Sequence, residues 1–353
     1  MALSVGIVGL PNVGKSSLFQ ALTKKPVDVA NYPFCTIDPN VGIVLVPDER
    51  LDKLTELFSS AKTIPTAIEF ADIAGLVKGA HEGEGLGNQF LSHIRETDSI
   101  VHVIRAFEDS EVLHVETTID PVRDIDIIHL ELLMKDKDTV QKRVFSIEKE
   151  VKANKKGAAE QSEVLHQVMR EINEGKSVYV YIKENPNSAE YLEELQLLTA
   201  KPIMYLVNTK DGTIPAPLEA KMKELEAPYI AMNIKDELEM AGFSKEERED
   251  LGLESKLPQL IAKAYESLKL ITFITTGPDE TRAWTVRQGS TAPEAGGVIH
   301  SDFADKFIRA VVISWDKLIE AGGLAEAAAK GWLRTEGKDY VVQDGDVIEI
   351  KHG

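Results

Sequence analysis

The apolar positions of this chain keep two different periods, and the changes between them divide it into segments. At residues 5–8, 41–46, 68–72 and 99–106, short apolar runs bounded by polar or turn-forming residues predict strands. Residues 16–22 carry helical spacing between the first two runs. The same grammar resumes at 202–207 and 229–232. Strands alternating with helices predict an α/β domain built on a mostly parallel sheet.

From about residue 127 to 199 the chain becomes charged and helical. Val140, Val144, Ile147 and Val151 are spaced four, three and four apart, the seam of a coiled coil. Val164, Val168, Met169 and Ile172 form a second stripe, and the polar Lys155-Lys156-Gly157 separates the two. This predicts an antiparallel helical hairpin inserted into the α/β domain; the alternative gives both stripes to that domain's own helices. After residue 267 the pattern changes again. Strands are expected at 271–275 and 283–286 around a Gly-Pro turn, with more β signal at 308–313 and 340–350. Helices are expected near 301–307 and 315–321, and Asp344-Gly345-Asp346 reads as a hairpin turn between two β runs. The expected division is 1–127 with 200–270, an insertion at 128–199, and a small α+β unit at 271–353.

Composition narrows the class. The 353 residues are 43% hydrophobic and 28% charged, enough for a sizeable core. Forty Lys and Arg against 58 Asp and Glu give a formal charge of −18, which argues against coating nucleic acid or an anionic membrane with the whole surface. The single cysteine, Cys35, excludes an internal disulfide and suits a reducing compartment. The first apolar run has no basic flank and reads as a strand rather than a leader, and no run approaches the roughly 18 residues that span a bilayer. A cytoplasmic protein without a membrane partner is expected.

Gly9-Leu10-Pro11-Asn12-Val13-Gly14-Lys15-Ser16 fits G-x-x-x-x-G-K-[ST], after a predicted strand and opening a predicted helix. Glycines there let successive N–H groups point inward at a triphosphate, aided by the helix N-terminus. Lys15 is expected over the β- and γ-phosphates, and the Ser16 hydroxyl on Mg²⁺. Asp72-Ile73-Ala74-Gly75 ends an apolar strand, so Asp72 is expected to hold Mg²⁺ through a water while the Gly75 amide approaches the γ-phosphate. Thr36, in the loop Tyr32-Pro33-Phe34-Cys35-Thr36, is a candidate second hydroxyl for Mg²⁺. The Gly-rich stretch 75–87 loses much backbone entropy on ordering, and reads either as a γ-phosphate-dependent switch or as a surface loop.

Together these motifs resemble the Obg-related P-loop (TRAFAC) GTPases, and specifically the YchF/Obg-like ATPase subfamily. The insertion ahead of residue 202 matches that layout, as do Arg282-Ala283-Trp284-Thr285, Ile299-His300-Ser301-Asp302-Phe303 and Glu336-Gly337-Lys338-Asp339-Tyr340. The resemblance covers essentially the whole chain. It implies a Ras-like P-loop NTPase domain with an inserted coiled-coil hairpin and a C-terminal, β-grasp-like TGS domain. It implies nucleotide contacts from Asn12, Val13, Gly14, Lys15, Ser16, Ser17 and Gly75, with Asn208, Asp211 and Met232 around the base. Asn12 also resembles a potassium ligand of some related GTPases, but a structural role serves it equally and no monovalent ion is assigned.

Asn208-Thr209-Lys210-Asp211 stands where Ras-like proteins read guanine with Asn-Lys-x-Asp, but its lysine is displaced by one position. Subfamily members carry a degraded motif here and accept ATP, so ATP is expected over GTP; Asp211, often Glu in the subfamily, keeps GTP open. The glutamine that orients water in Ras-like enzymes is replaced by Leu76, which cannot orient water. The resemblance offers His114 instead, although a lone loop histidine is commonly a surface residue. Slow hydrolysis follows, as of a timer. Between Lys142 and Lys156, six basic residues face only Glu148 and Glu150. A solvated helix face explains that bias equally well; the resemblance implies ribosome association, with this edge on ribosomal RNA. A monomeric, nucleotide-gated switch is expected, and the alternative is a gated binding module in which hydrolysis is incidental.

Overall fold

The computed structural model describes residues 3–24, 27, 38–73, 86–108 and 119–353. Its first sheet contains β1 (Ser4–Val8), β2 (Val41–Leu45), β4 (Ala67–Asp72), β5 (Ser99–Arg105), β6 (Ile203–Asn208) and β7 (Tyr229–Met232), while β3 (Lys62–Ile64) leaves for a second sheet. The order is β2-β4-β1-β5-β6-β7, parallel throughout except for β2, which runs antiparallel to β4. Central strands of a parallel sheet are covered on both faces, which is why β5 is buried at all seven positions and its apolar stretch 100–104 is broken only by His102. Helices α1 (Lys15–Thr23), α2 (Glu49–Phe58) and α3 (Leu86–Glu96) lie between these strands in sequence. Leu18 and Leu22 of α1 and Phe90, Leu91 and Ile94 of α3 close the core over Val5, Ile7, Val101 and Val103.

Helix α4 (Pro121–Lys152) begins with Asp120 as N-cap, accepting from the Arg123 amide at 3.1 Å, and Pro121 fixes its first turn. Its 32 residues span roughly 48 Å. Ile128 and Leu132 pack in the sheet core, whereas Leu133, Val140 and Ile147 belong to a second core with α5 (Ala158–Asn173). Gly157, at φ +79°, turns the chain between the helices. The α4 seam forms as the spacing predicts. The α5 stripe is centred on Leu165, Val168 and Ile172, with Val164 and Met169 at its flank. Buried Asp136 on α4 accepts from the Leu198 amide (2.8 Å) and from the Thr199 amide and hydroxyl (2.7 Å each), pinning the return segment to the hairpin's root. Burial holds its carboxyl above the usual range, and those hydrogen bonds oppose the shift.

The second sheet has the order β11-β10-β12-β8-β9-β3, with β8 (Leu270–Thr276), β9 (Glu280–Arg287), β10 (Phe307–Ser314), β11 (Arg334–Glu336) and β12 (Asp346–His352). Its outermost strand, β3, comes from residues expected to serve only the first domain, and pairs in parallel with β9. Leu51 and Leu54 of α2 likewise sit in a core with Ile274, Ile313, Leu318 and Val347. The expected hairpin at Asp344–Asp346 does not form. Gly345 does turn, at φ +82°, but β12 pairs with β10 and β8, and Val341 bridges to Thr291. The turn is held from β8 instead: Gly345 donates its amide to the Thr272 carbonyl and Asp344 accepts the Thr272 amide, both at 2.8 Å. Among the described residues, no helix is long and apolar enough to cross a membrane.

Candidate functional site

The glycine-rich loop follows the buried end of β1 and is shaped by contacts from outside itself. A Cβ on Gly9 would fall 2.5 Å from the Val103 carbonyl oxygen of β5. Gly14 sits at φ +109°, and a Cβ there would fall 2.8 Å from the Asn208 amide nitrogen. Two side chains hold the loop. Asn208, at the end of β6, donates from Nδ2 to the Val13 carbonyl (3.0 Å) and accepts the Ile234 amide at Oδ1 (3.2 Å). Arg105, at the end of β5 and 1% exposed, reaches the Asn12 carbonyl at 3.5 Å and the Phe107 carbonyl at 3.1 Å.

Lys15 is 7% exposed and donates from Nζ to the Leu10 carbonyl at 2.8 Å, across the loop. Burial lowers its pKa to about 8, and the Asp72 charge pulls partly the other way. Ser16 is exposed and Ser17 half-buried in the first turn of α1. The β1–β4 register places Asp72 opposite Ile7, beside the start of the loop. The Ser16 hydroxyl and Asp72 carboxylate are hard oxygen donors, the set Mg²⁺ uses when substrate phosphates supply further ligands. The described residues contain no group of three or more His, Cys, Asp or Glu suited to an all-protein metal cage. The donor set therefore fits Mg²⁺ held jointly with a nucleotide. Thr36, Gly75 and His114, with the segments 32–36, 75–85 and 111–115, lie outside the described residues.

On the base side, Asn208 has both ends of its amide engaged by the protein, so it positions the loop. Asp211 is exposed and accepts the Thr213 amide at 2.9 Å, which holds its carboxyl below the usual range. Thr209 accepts the Gly212 amide at 2.7 Å, closing the same turn. Met232 is 1% exposed, and its carbonyl accepts the Thr209 amide at 2.9 Å, so its backbone orders this edge. Asn233, which the motif reading passed over, caps the helix Ile234–Met240 and donates to the Lys210 carbonyl at 3.2 Å. Phe107 is a second missed residue, with the Arg105 guanidinium 5.0 Å and the Lys210 ammonium 5.7 Å from its ring centre. The available signal was a charged residue ending a strand otherwise as apolar as β5. His102 on that strand is buried against Tyr205, and burial, then the Lys15 charge, lowers its pKa to about 3. It serves as a neutral core residue.

Residues 4–135 match the 50S ribosome-binding GTPase family. Residues 270–353 match the YchF-GTPase C-terminal family, described as a protein of unknown function. The chain is 48% identical over 364 residues to the ribosome-binding ATPase YchF of Bacillus subtilis (strain 168), covering 99% of each. It is 43% identical over 361 residues to the protein of the same name from Escherichia coli O157:H7, again covering 99% of each. The solved structure of the Schizosaccharomyces pombe YchF GTPase is similar at a TM-score of 0.86 and 38% identity, over 99% of this chain and 97% of that one.

Proposed function

Because the chain belongs to the YchF/Obg-like ATPase family, we propose that it is a nucleotide-dependent switch that binds and slowly hydrolyses ATP and associates with the ribosome. One observation carries the reading: a buried lysine in a Gly9–Ser16 loop whose backbone is held by Asn208 and Arg105. The reaction is phosphoryl transfer to water, in which positioning and charge neutralisation do the chemistry. Lys15 places its ammonium on the β- and γ-phosphates, and the loop amides of Asn12, Val13 and Gly14 with Ser16 and Ser17 at the α1 N-terminus hold the polyphosphate. Ser16 and Thr36, with Asp72 through a water, would hold Mg²⁺, which would add neutralisation of phosphate charge. Gly75 offers its amide to the γ-phosphate, and His114 orients water in place of the glutamine that Leu76 displaces. With no such glutamine, turnover is slow and the γ-phosphate acts as a timer.

ATP is the favoured nucleotide, a reading supported by the bacterial relatives named as ATPases, while the Schizosaccharomyces pombe relative is named a GTPase. GTP preference is the second reading, supported by an exposed, ionised Asp211 at the spacing that reads guanine. Hydrolysis of ATP and GTP compared side by side tests it; a clear GTP preference lost in Asp211→Ala refutes the ATP assignment. Ribosomal RNA along the hairpin is the proposed contact, made by a cytoplasmic monomer. Co-sedimentation with ribosomes in ADP, ATP and a non-hydrolysable ATP analogue tests the switch. Association that differs between states supports it. Equal association in all three, retained in a Lys15→Ala variant that no longer binds nucleotide, refutes it.

A further inference from the structure

The six basic residues between Lys142 and Lys156 do not act as one patch. Arg143 is consumed internally: its guanidinium donates to Glu150 (2.6 Å), Gln161 (2.8 Å), Glu194 (3.0 Å) and Ser146 (3.2 Å). Lys155 is paired with Glu150 at 2.5 Å. Lys142, Lys149 and Lys152 are exposed and make no ion pair among the described residues. Their spacing, together with Phe145 between them, is three, four and three, which sets all four side chains along one face of α4. Phe145 is 72% exposed, more than any other large apolar side chain among the described residues. Beside this face lies an open cavity of about 440 Å³ between α3 and α4, lined by Arg95, Lys135 and Lys142 against the single carboxylate of Asp138, with the already paired Arg143 at its edge. Arg95 lines it from α3, and its Nε is buried without a hydrogen-bond partner.

Resting on the ribosome-association reading above, we propose that this cavity and stripe form a seat for unpaired RNA. A backbone phosphate occupies the cavity against Arg95 and Lys142, Lys149 and Lys152 follow the backbone, and a splayed base stacks on Phe145. Charge complementarity selects the occupant. An exposed aromatic in line with unpaired lysines suits a base and its phosphates, whereas lysine is depleted in protein–protein contacts. A duplex keeps its bases stacked on one another and leaves Phe145 without a partner. Arg95 lies in the last turn of α3, the helix that follows the glycine-rich segment. A phosphate bound here therefore touches the helix nearest that segment and the hairpin together.

The test is fluorescence anisotropy of the full-length protein with a labelled, unstructured RNA of roughly 12 nucleotides, alongside ribosome co-sedimentation. Phe145→Ala is expected to weaken RNA binding roughly 5- to 150-fold, and Phe145→Tyr to retain it. Replacing Lys142 and Lys149 by Gln is expected to flatten the salt dependence, by a slope of about 0.7 for each phosphate no longer neutralised. Arg95→Gln is expected to weaken binding, while the same RNA as a duplex binds more weakly than the single strand. RNA affinity unchanged in Phe145→Ala overturns the proposal, and so does displacement of RNA by tripolyphosphate at equal phosphate concentration. Lost ribosome association with unchanged RNA affinity in Phe145→Ala also overturns it, assigning the face to a ribosomal protein. A wild-type protein that binds the RNA through Phe145 but never sediments with ribosomes refutes the ribosome reading and leaves the seat standing.

Discussion

A buried ammonium in the loop that meets the polyphosphate makes nucleotide binding a proton-coupled event. Lys15 has a pKa of about 8 against an ordinary 10.5, because burial penalises its charge more than Asp72 restores it. At pH 8 about half of the molecules carry it neutral, and at pH 7 about a tenth do. A polyphosphate brought against Nζ favours the charged form and raises the pKa again. Binding should therefore take up about 0.5 proton at pH 8 and about 0.1 at pH 7, and affinity should fall about tenfold per pH unit well above pH 8. The folded-state value is depressed, so the unfolded chain binds more protons between about pH 8 and 10.5, and this residue's contribution to stability rises with pH across that window. A displacement from 10.5 to about 8 corresponds to ~3 kcal/mol, a penalty fully present below pH 8. Titration calorimetry at pH 8 in buffers of small and large ionisation enthalpy measures the uptake directly. Lys15→Met should remove this residue's share of the rise in stability between about pH 8 and 10.5 and lose nucleotide affinity. Equal binding enthalpies in both buffers at pH 8, or affinity that stays flat well above it, would refute the reasoning.

Three further outcomes follow from the same geometry. Asn208→Ala leaves the Val13 carbonyl and Ile234 amide without their partner, so it should cost ~2–4 kcal/mol in thermal melts and weaken ATP and GTP together; a loss confined to one nucleotide would make Asn208 a base reader instead. Asp136→Ala strips the Leu198 and Thr199 amides of their acceptor and should destabilise the protein by ~2–4 kcal/mol in urea titration, with nucleotide affinity measured at low denaturant nearly unchanged. Gly345→Ala puts a Cβ 2.6 Å from Trp315 and 2.9 Å from the Arg50 guanidinium at φ +82°, so it should lower the melting temperature by an amount equivalent to ~1–3 kcal/mol while ATP hydrolysis persists.

Where an element is specified by its own residues, the sequence pattern located it. The parallel strands appeared because burial on both faces makes them continuous apolar runs, and the α4 seam because a helix repeats its contacts every turn. The loop at Gly9–Ser16 was legible for the same reason: its motif is local. What the pattern missed depends on partners distant in sequence. The run 340–350 looked like two strands of a hairpin, yet β12 takes β10 and β8 as neighbours and the turn is bonded to Thr272. Nothing around Lys62–Ile64 announces that it edges a sheet more than two hundred residues away in sequence. Asn208 was recognised as part of a base-reading motif, whereas its two hydrogen bonds, to Val13 and Ile234, become visible only when β6 is laid beside the loop. Of the six basic residues near the hairpin tip, sequence could not separate the consumed Arg143 from the free Lys142, Lys149 and Lys152.

The shared elements also decide how a change at the nucleotide would travel. Leu132 and Leu133 are neighbours on α4 but lie in different cores, one under the parallel sheet and one in the hairpin. A close-packed core resists sliding, so the hairpin follows α4 as a lever rather than swinging on a linker. The root of that lever meets the end of α3 twice. Lys201, on the return from the hairpin, donates to the Arg95 carbonyl at 3.0 Å and to the Thr97 carbonyl, while the Arg95 side chain lines the cavity against α4. The C-terminal sheet is attached through the three-residue β3–β9 pairing, the α2 core, the Arg50–Asp344 ion pair at 2.6 Å, and the Tyr265 hydroxyl of the helix Leu257–Ser267, which meets the Thr272 and Thr285 hydroxyls at 3.0 and 3.1 Å. The attachments on α2 and β3 lie ahead of the glycine-rich segment in sequence, and α3 and the helix Leu257–Ser267 lie after it. A rearrangement that enters through α3 reaches the hairpin root through the Lys201 hydrogen bonds, and the C-terminal sheet through the core that Leu91 and Ile94 share with Tyr265 and with Leu270 of β8.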